Sequence, residues 1–171
     1  MDTLTQEAGN DTANLLTSVV DVTDYDQQYA FFEQAQTKFG HIDVVCANAG
    51  INASAEFMSP ELPPNVKPDL KVVDVNFVGV LYTSHLAVRY FRENKVAKDG
   101  EKCLILTGSM ASFHALPSRG MPYSAGKAAV LSLSQSLAIQ GSAEGFRCNC
   151  INVSGVGDEN GFLTSFAAMV R

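Results

Sequence analysis

The chain has 171 residues, of which 46% are hydrophobic and 18% charged, enough for one hydrophobic core and too few for two. Eighteen acidic against twelve basic residues leave a formal net charge of -6, and the scattered basic residues form no stripe for a phosphate backbone, which argues against nucleic acid as a partner. No apolar run reaches the roughly 18 residues that span a bilayer, and the opening "MDTLTQEAGNDTAN" is polar and acidic, unlike a signal or transit peptide, so a cytoplasmic protein with no membrane partner is expected.

After a polar lead-in over residues 1–16, "TSVVDV" (Thr17 to Val22) is a β-branched run that predicts a first strand ending near Asp21. The next stretch spaces Tyr25, Tyr29, Phe32, Ala35 and Phe39 as a helix would, with Thr23 as N-cap and Gly40 closing the C-terminus. "IDVVCAN" reads as a strand apolar nearly throughout, as one covered on both faces would be. Four prolines then fall between Pro60 and Pro68 in "INASAEFMSPELPPNVKPD" and predict an irregular, exposed connection.

From Leu70 to about Asn94 the pattern predicts a long helix, largely apolar in its first half. "KCLILTG" is the third strand, "PYSAGKAAVLSLSQSLAIQGSAEG" the third long helix with Pro122 suited to its first turn, and "RCNCINV" the fourth strand. Strands and helices alternate without hairpin signals, which implies βαβ crossovers: an α/β doubly wound parallel sheet with helices on both faces. In such a sheet ligands bind beyond the carboxyl ends of the strands, which selects Asp21, the "NAG" of Asn48, Ala49 and Gly50, "GSMAS" (Gly108 to Ser112) and "SGVG" (Ser154 to Gly157).

The cysteines offer no metal site. Cys46 and Cys103 lie inside apolar runs and read as small buried hydrophobes. Cys148 and Cys150 form C-x-C, the wrong spacing for a zinc knuckle and without a second pair. His41, His85 and His114 are isolated.

Tyr123 and Lys127 stand four residues apart at the start of the third long helix. A free tyrosine, with a pKa near 10, is a poor acid or base at neutral pH, but a positive charge within about 4 to 6 Å favours the phenolate, and an i+4 lysine has that reach. Taken alone, such a pair is usually a solvated contact on a helix surface. Its conjunction with Ser109 at the preceding strand end, and with "NAG" and Asn76 upstream, favours acid/base chemistry, Ser109 donating to the same substrate oxygen.

Taken in order, "DVTD", "ANAG", "VNFVGV", "LTGSMAS", "YSAGK" and "RCNCINVSG" resemble the classical short-chain dehydrogenases/reductases, from about Val19 to about Gly155. The resemblance implies a Rossmann-like domain, a nicotinamide cofactor (NAD or NADP), and a secondary alcohol or ketone as the small-molecule substrate. It makes Tyr123 the general acid/base and Lys127 the residue that lowers its pKa and holds the nicotinamide ribose. Ser109 would orient the substrate oxygen, and Asn76 would interrupt its helix to hold a water in a proton relay. Asp21 and Val22 match the pair beside the adenine; Asn48, Ala49 and Gly50 match the motif bordering the cofactor; Gly155 matches the family's glycine after the penultimate strand. The helices carrying Asn76 and Tyr123 would form a homo-oligomer interface.

The departures are specific. Residues 1–18 hold no TGxxxGxG turn, so the first βαβ unit, with its phosphate site, is expected to be missing. The family's proline-glycine reads Ser154-Gly155, and the divergent tail over residues 156–171 is too short for the usual substrate lid and final strand. "GVGDENG" is one residue longer than the dinucleotide fingerprint and reads as a turn. A second reading therefore stands beside the enzyme: a catalytically silent fragment acting at most as a dimerisation module.

Overall fold

The computed structural model describes residues 14–52, 57–117 and 120–154, and the backbone of 168–170. Helix α1 (Tyr25–Phe39) opens where the Asp24 carboxylate accepts the N–H groups of Asp26 and Gln27, and closes at Gly40, whose φ of 85° few other residues adopt. The cap is thus Asp24 and not Thr23. Thr23 is committed elsewhere, giving its backbone N–H and its hydroxyl to the Asp21 carboxylate at 2.9 and 2.7 Å. The buried stripe also differs from the expected one: Gln28, Phe32 and Ala35 face inward, while Tyr29 is 45% exposed.

Thr17 to Val22 does not form the expected strand; it runs as irregular, partly exposed chain. Side chains of α1 hold this region instead. Gln27 accepts from the Asp21 N–H, Gln28 donates to the Val22 carbonyl, and Lys38 donates to the Leu15 carbonyl.

The sheet has the order β3-β2-β1-β4. Strand β1 (Val44–Ala47) pairs in parallel with β2 (Lys102–Ser109), Val44 opposite Cys103 and Ala47 opposite Leu106. Strand β2 pairs in parallel with β3 (Phe146–Val153), from Lys102 opposite Phe146 to Ser109 opposite Val153. The tail carried no predicted element, yet Ala168–Val170 forms β4, antiparallel to β1. An exposed edge beside β1 would leave a row of backbone groups unpaired. β4 takes that edge, which is why Thr17 to Val22 finds no strand to join.

Between β1 and β2 the chain winds through α2 (Lys71–Val73), a π-helical turn (Asp74–Val78) and α3 (Gly79–Glu93). Between β2 and β3 lie a 3-10 turn (Met110–Ser112) and α4 (Met121–Glu144), which has Pro122 in its first turn and ends at Gly145 with φ 72°. This is the expected α/β fold. Val45, Ala47, Leu104, Leu106, Phe146 and Cys148 form one side of the sheet and join a single core with Phe32, Ala35, Leu86, Ala87, Phe91 and Val130 from the helices. The alternate residues Ile151 and Val153 are exposed, and Val44, Cys46 and Ile105 are half-buried. Among the described residues, the long helices therefore cover that one face, not both faces as expected.

Burial raises the Cys46 thiol pKa and pushes that of Cys148 up to about 12; Cys148 belongs to the core, whereas Cys46 is half-buried on the opposite face of the sheet. No cluster of three or more potential metal ligands occurs among the described residues. None of their helices is long and apolar enough to cross a membrane.

The last turn of α3 is tied to the end of α4 by Arg92, which donates from Nε and Nη2 to both oxygens of Glu144 at 2.7 Å. This fork, with a further hydrogen bond from Gln140, lowers the Glu144 pKa to about 2. A depressed carboxylate stabilises the fold above its unfolded pKa and loses that contribution as pH falls through the folded value. The pair is solvated, so its contribution stays below about 1 kcal/mol. Arg92→Met is expected to lower Tm by about 1–3 °C at pH 7, and thermal melts at stepped pH should show the deficit shrinking between pH 5 and 2; a deficit unchanged at pH 2 would contradict the ion-pair account.

Candidate active site

The site forms at the carboxyl ends of β1 and β2, where the chain leaves the sheet and α3 and α4 approach it. The π turn organises it. Five residues of π-helix place Asn76 in full burial, and the Gly79 N–H donates to the Asp74 carbonyl five residues back. Insertions of this kind interrupt a helix at functional positions, so the expected interruption at Asn76 is present. Its side chain does something the sequence reading did not include: Nδ2 donates to the Ile51 carbonyl at 2.9 Å, and Oδ1 accepts the Ile51 N–H at 2.8 Å. The amide thus grips the backbone directly after "NAG" by one donor and one acceptor.

Gly50 lies beside this grip. A Cβ built there would stand 3.4 Å from Asn76 Oδ1 and 3.7 Å from Lys127 Nζ, so the chain passes between the two side chains at contact distance. Lys127 is 4% exposed. Its Nζ donates to the Thr107 carbonyl at 2.7 Å and lies 5.9 Å from the centre of the Tyr123 ring. Burial is the main influence on its pKa, which falls below the ordinary lysine value. Among the described residues no carboxylate forms an ion pair with it.

Thr107 ties the two strand ends together. Its carbonyl holds Lys127, and its hydroxyl donates to Asn48 Oδ1 at 2.8 Å. Ser109 is 8% exposed and accepts the Ala111 N–H at 3.1 Å, opening the 3-10 turn. The Ser112 hydroxyl pins that turn to the Lys127 carbonyl at 2.9 Å, and Tyr123 is half-buried at the start of α4. The structure thus connects Asn48, Gly50, Asn76 and Lys127 through Thr107 and Ile51.

Asp21 and Val22 stand on the other side of β1. The Asp21 carboxylate, exposed, has its pKa lowered chiefly by the Thr23 hydrogen bonds. Val22 joins Ala47, Asn48, Ala49, Val75, Gly79, Val80 and Thr83 around a small, open cavity. Gly155 lies outside the described residues.

The parts of a dinucleotide fit unequally. The lining beside Val22 has the apolar walls and polar strand end that a flat heterocycle would lie against, and the Lys127 ammonium can donate beyond its one bond to Thr107. For the diphosphate, no TGxxxGxG loop opens a long helix among the described residues.

Thr107, Ile51 and Gln28 escaped the sequence reading, and Ser112 entered it only as the end of "GSMAS". Thr107 had a signal, as the one polar side chain within "LILTG" at a strand end. Ile51 did not, because its part is played by backbone atoms.

The profile of the family described as "short chain dehydrogenase" matches residues 1–160. A short-chain dehydrogenase/reductase of Penicillium rubens is 31% identical over 160 residues, covering 86% of this chain and 56% of its own length. The (-)-trans-carveol dehydrogenase of Rhodococcus erythropolis is 32% identical over 132 residues, covering 77% of this chain and 45% of its own. Among solved structures, a short-chain type dehydrogenase/reductase from Mycobacterium marinum superposes with a TM-score of 0.68 at 27% identity, over 80% of this chain and 51% of the other. The chain thus spans about half the length of these relatives.

The Asn76 grip has a measurable worth. Asn76→Leu keeps the volume but leaves both polar groups of Ile51 without their partner, and an unpaired, largely buried group costs about 1–3 kcal/mol. Urea unfolding is expected to show a loss of about 2 kcal/mol or more; a loss below about 0.5 kcal/mol would mean that water replaces the amide freely.

Proposed function

The chain belongs to the short-chain dehydrogenase/reductase family, and from that premise we propose that it works as an NAD- or NADP-dependent oxidoreductase that interconverts a secondary alcohol and a ketone, with Tyr123 as general acid/base. The observation that carries the proposal is Lys127. Burying an ammonium with a carbonyl as its protein partner is costly, and a buried, perturbed lysine beside a phenol at the mouth of a sheet marks a functional position more often than a structural one. Relatives named as dehydrogenases, the carveol dehydrogenase among them, support the same class.

In the oxidative direction the Tyr123 oxygen takes the proton of the substrate hydroxyl; in reduction it returns a proton to the carbonyl oxygen. Lys127 favours the phenolate by its charge and directs its remaining donors at the ribose hydroxyls of the nicotinamide. Ser109 donates to the substrate oxygen and fixes its position. Asn76 holds Ile51 and Gly50 in place, so that the floor of the site does not shift as charge develops. Asp21, Val22, Asn48 and Ala49 bound the adenine half. The bound nicotinamide supplies or accepts the hydride.

Self-association through α3 and α4 is a proposal of the same standing, supported by Leu81 at 37% and Ile139 at 78% exposure on those helices.

Tyr123→Phe tests the chemistry. Turnover of a secondary alcohol is expected to fall by at least about 10²-fold with the melting temperature unchanged. Turnover near the wild-type rate would overturn the role of Tyr123.

A further inference from the structure

Gln28 is 4% exposed and occupies the inward stripe of α1 alongside Phe32 and Ala35, a place where a leucine or methionine would pack at no polar cost. Its amide is fully engaged. Nε2 donates to the Val22 carbonyl at 2.6 Å and to the Gly79 carbonyl at 3.1 Å, while Oε1 accepts the Thr83 hydroxyl at 2.7 Å. Two carbonyls at one end and a hydroxyl at the other fix which way the amide faces, since the reverse would set oxygen against oxygen.

Each partner belongs to a different part of the cavity wall. Val22 forms the side without a ladder, because Thr17 to Val22 has no strand neighbour. Gly79 follows the π turn; a Cβ there would stand 2.9 Å from Val22 Cγ2 and 3.0 Å from the Val22 carbonyl oxygen, so only glycine lets the two segments approach so closely. Thr83, one turn on, lines the same cavity, and its hydroxyl also lies 3.0 Å from the Gly79 carbonyl.

We infer that Gln28 is a positioning residue for the nucleotide end of the cofactor: by fastening Val22 to Gly79 and Thr83 it fixes the wall of the cavity that takes the adenine. This rests on the nicotinamide reading above. It adds that the adenine wall and the helix carrying Asn76 are one hydrogen-bonded unit, so the two halves of a dinucleotide site keep a fixed relation without a sheet hydrogen bond at Val22. A purely space-filling role would make the amide dispensable.

The test uses Gln28→Met, of similar length without the polar end, and Thr83→Val, which removes one partner. ADP-ribose and nicotinamide mononucleotide are titrated separately by calorimetry, and amide hydrogen exchange is followed over residues 19–24 and over β2. Gln28→Met is expected to raise the ADP-ribose Kd about tenfold, leave the mononucleotide Kd unchanged, and speed exchange at 19–24 but not in β2. Thr83→Val should move the same readouts by about threefold. Equal loss of affinity for both fragments, or faster exchange throughout β2, would reduce Gln28 to a general packing residue and overturn the inference. Unchanged exchange at 19–24 would also overturn it, whatever the ligands do. A wild-type chain that binds neither fragment sinks the nicotinamide reading and the ligand half of this inference, while exchange still decides whether Gln28 holds Val22.

Discussion

The grip of Asn76 on the backbone of Ile51 is the contact on which the rest of the site depends. It is a two-point bond, N–H to carbonyl oxygen at one end and amide oxygen to N–H at the other, so it fixes orientation as well as distance. It requires a side chain delivered from inside a helix to the outlet of β1, and the π turn makes that possible by advancing the helix one residue over a single turn. Once Ile51 is held, Gly50 passes beside Lys127, and Lys127 reaches back to the carbonyl of Thr107 at the end of β2. The ends of two strands and the starts of two helices are then linked through polar contacts in a region that apolar packing alone would leave loosely oriented.

Lys127 shows the energetic cost of this arrangement. Burial lowers its pKa, and the Thr107 carbonyl offsets only part of the desolvation. The surrounding packing carries the remainder: Val130, one turn further along α4, is fully buried in the main core, and Gly126 brings α4 up to the β-carbon of Phe77 on the π turn, where an added methyl would already be in contact at 3.9 Å. Gly126 of "YSAGK" therefore permits the close approach of α4 to the π turn.

Much of this was legible in the sequence, for identifiable reasons. β1, β2, β3 and the long helices are marked by apolar runs, by prolines in the 51–69 connection and by Gly40 and Gly145 at helix ends, all local signals. The strand expected at Thr17 to Val22 failed because strand formation needs a neighbour, and β4 occupies the edge of β1. Thr23 lost the cap to Asp24 because Asp21 had already engaged it. Gln28 went unread because the helical pattern was built through Tyr29, although Tyr25, Gln28, Phe32, Ala35 and Phe39 are spaced 3-4-3-4; a polar residue on that stripe signals a buried amide only when its partners, 51 and 55 residues away, are known. Of the candidate site, Tyr123, Lys127, Ser109, Asn76 and "NAG" were selected from motif order, while the contacts that connect them, through Thr107 and Ile51, emerge only from the fold.

The central claim is that the described half of a dinucleotide site, built around Asn76, Gly50 and Lys127, holds a nicotinamide cofactor. Fluorescence titration of the purified chain with NADH and NADPH tests it most directly, with Lys127→Met as the paired variant. The account predicts saturable enhancement of at least one reduced cofactor by the wild type, and its loss in Lys127→Met at unchanged secondary structure. No enhancement of either cofactor, or enhancement indifferent to Lys127, would contradict it.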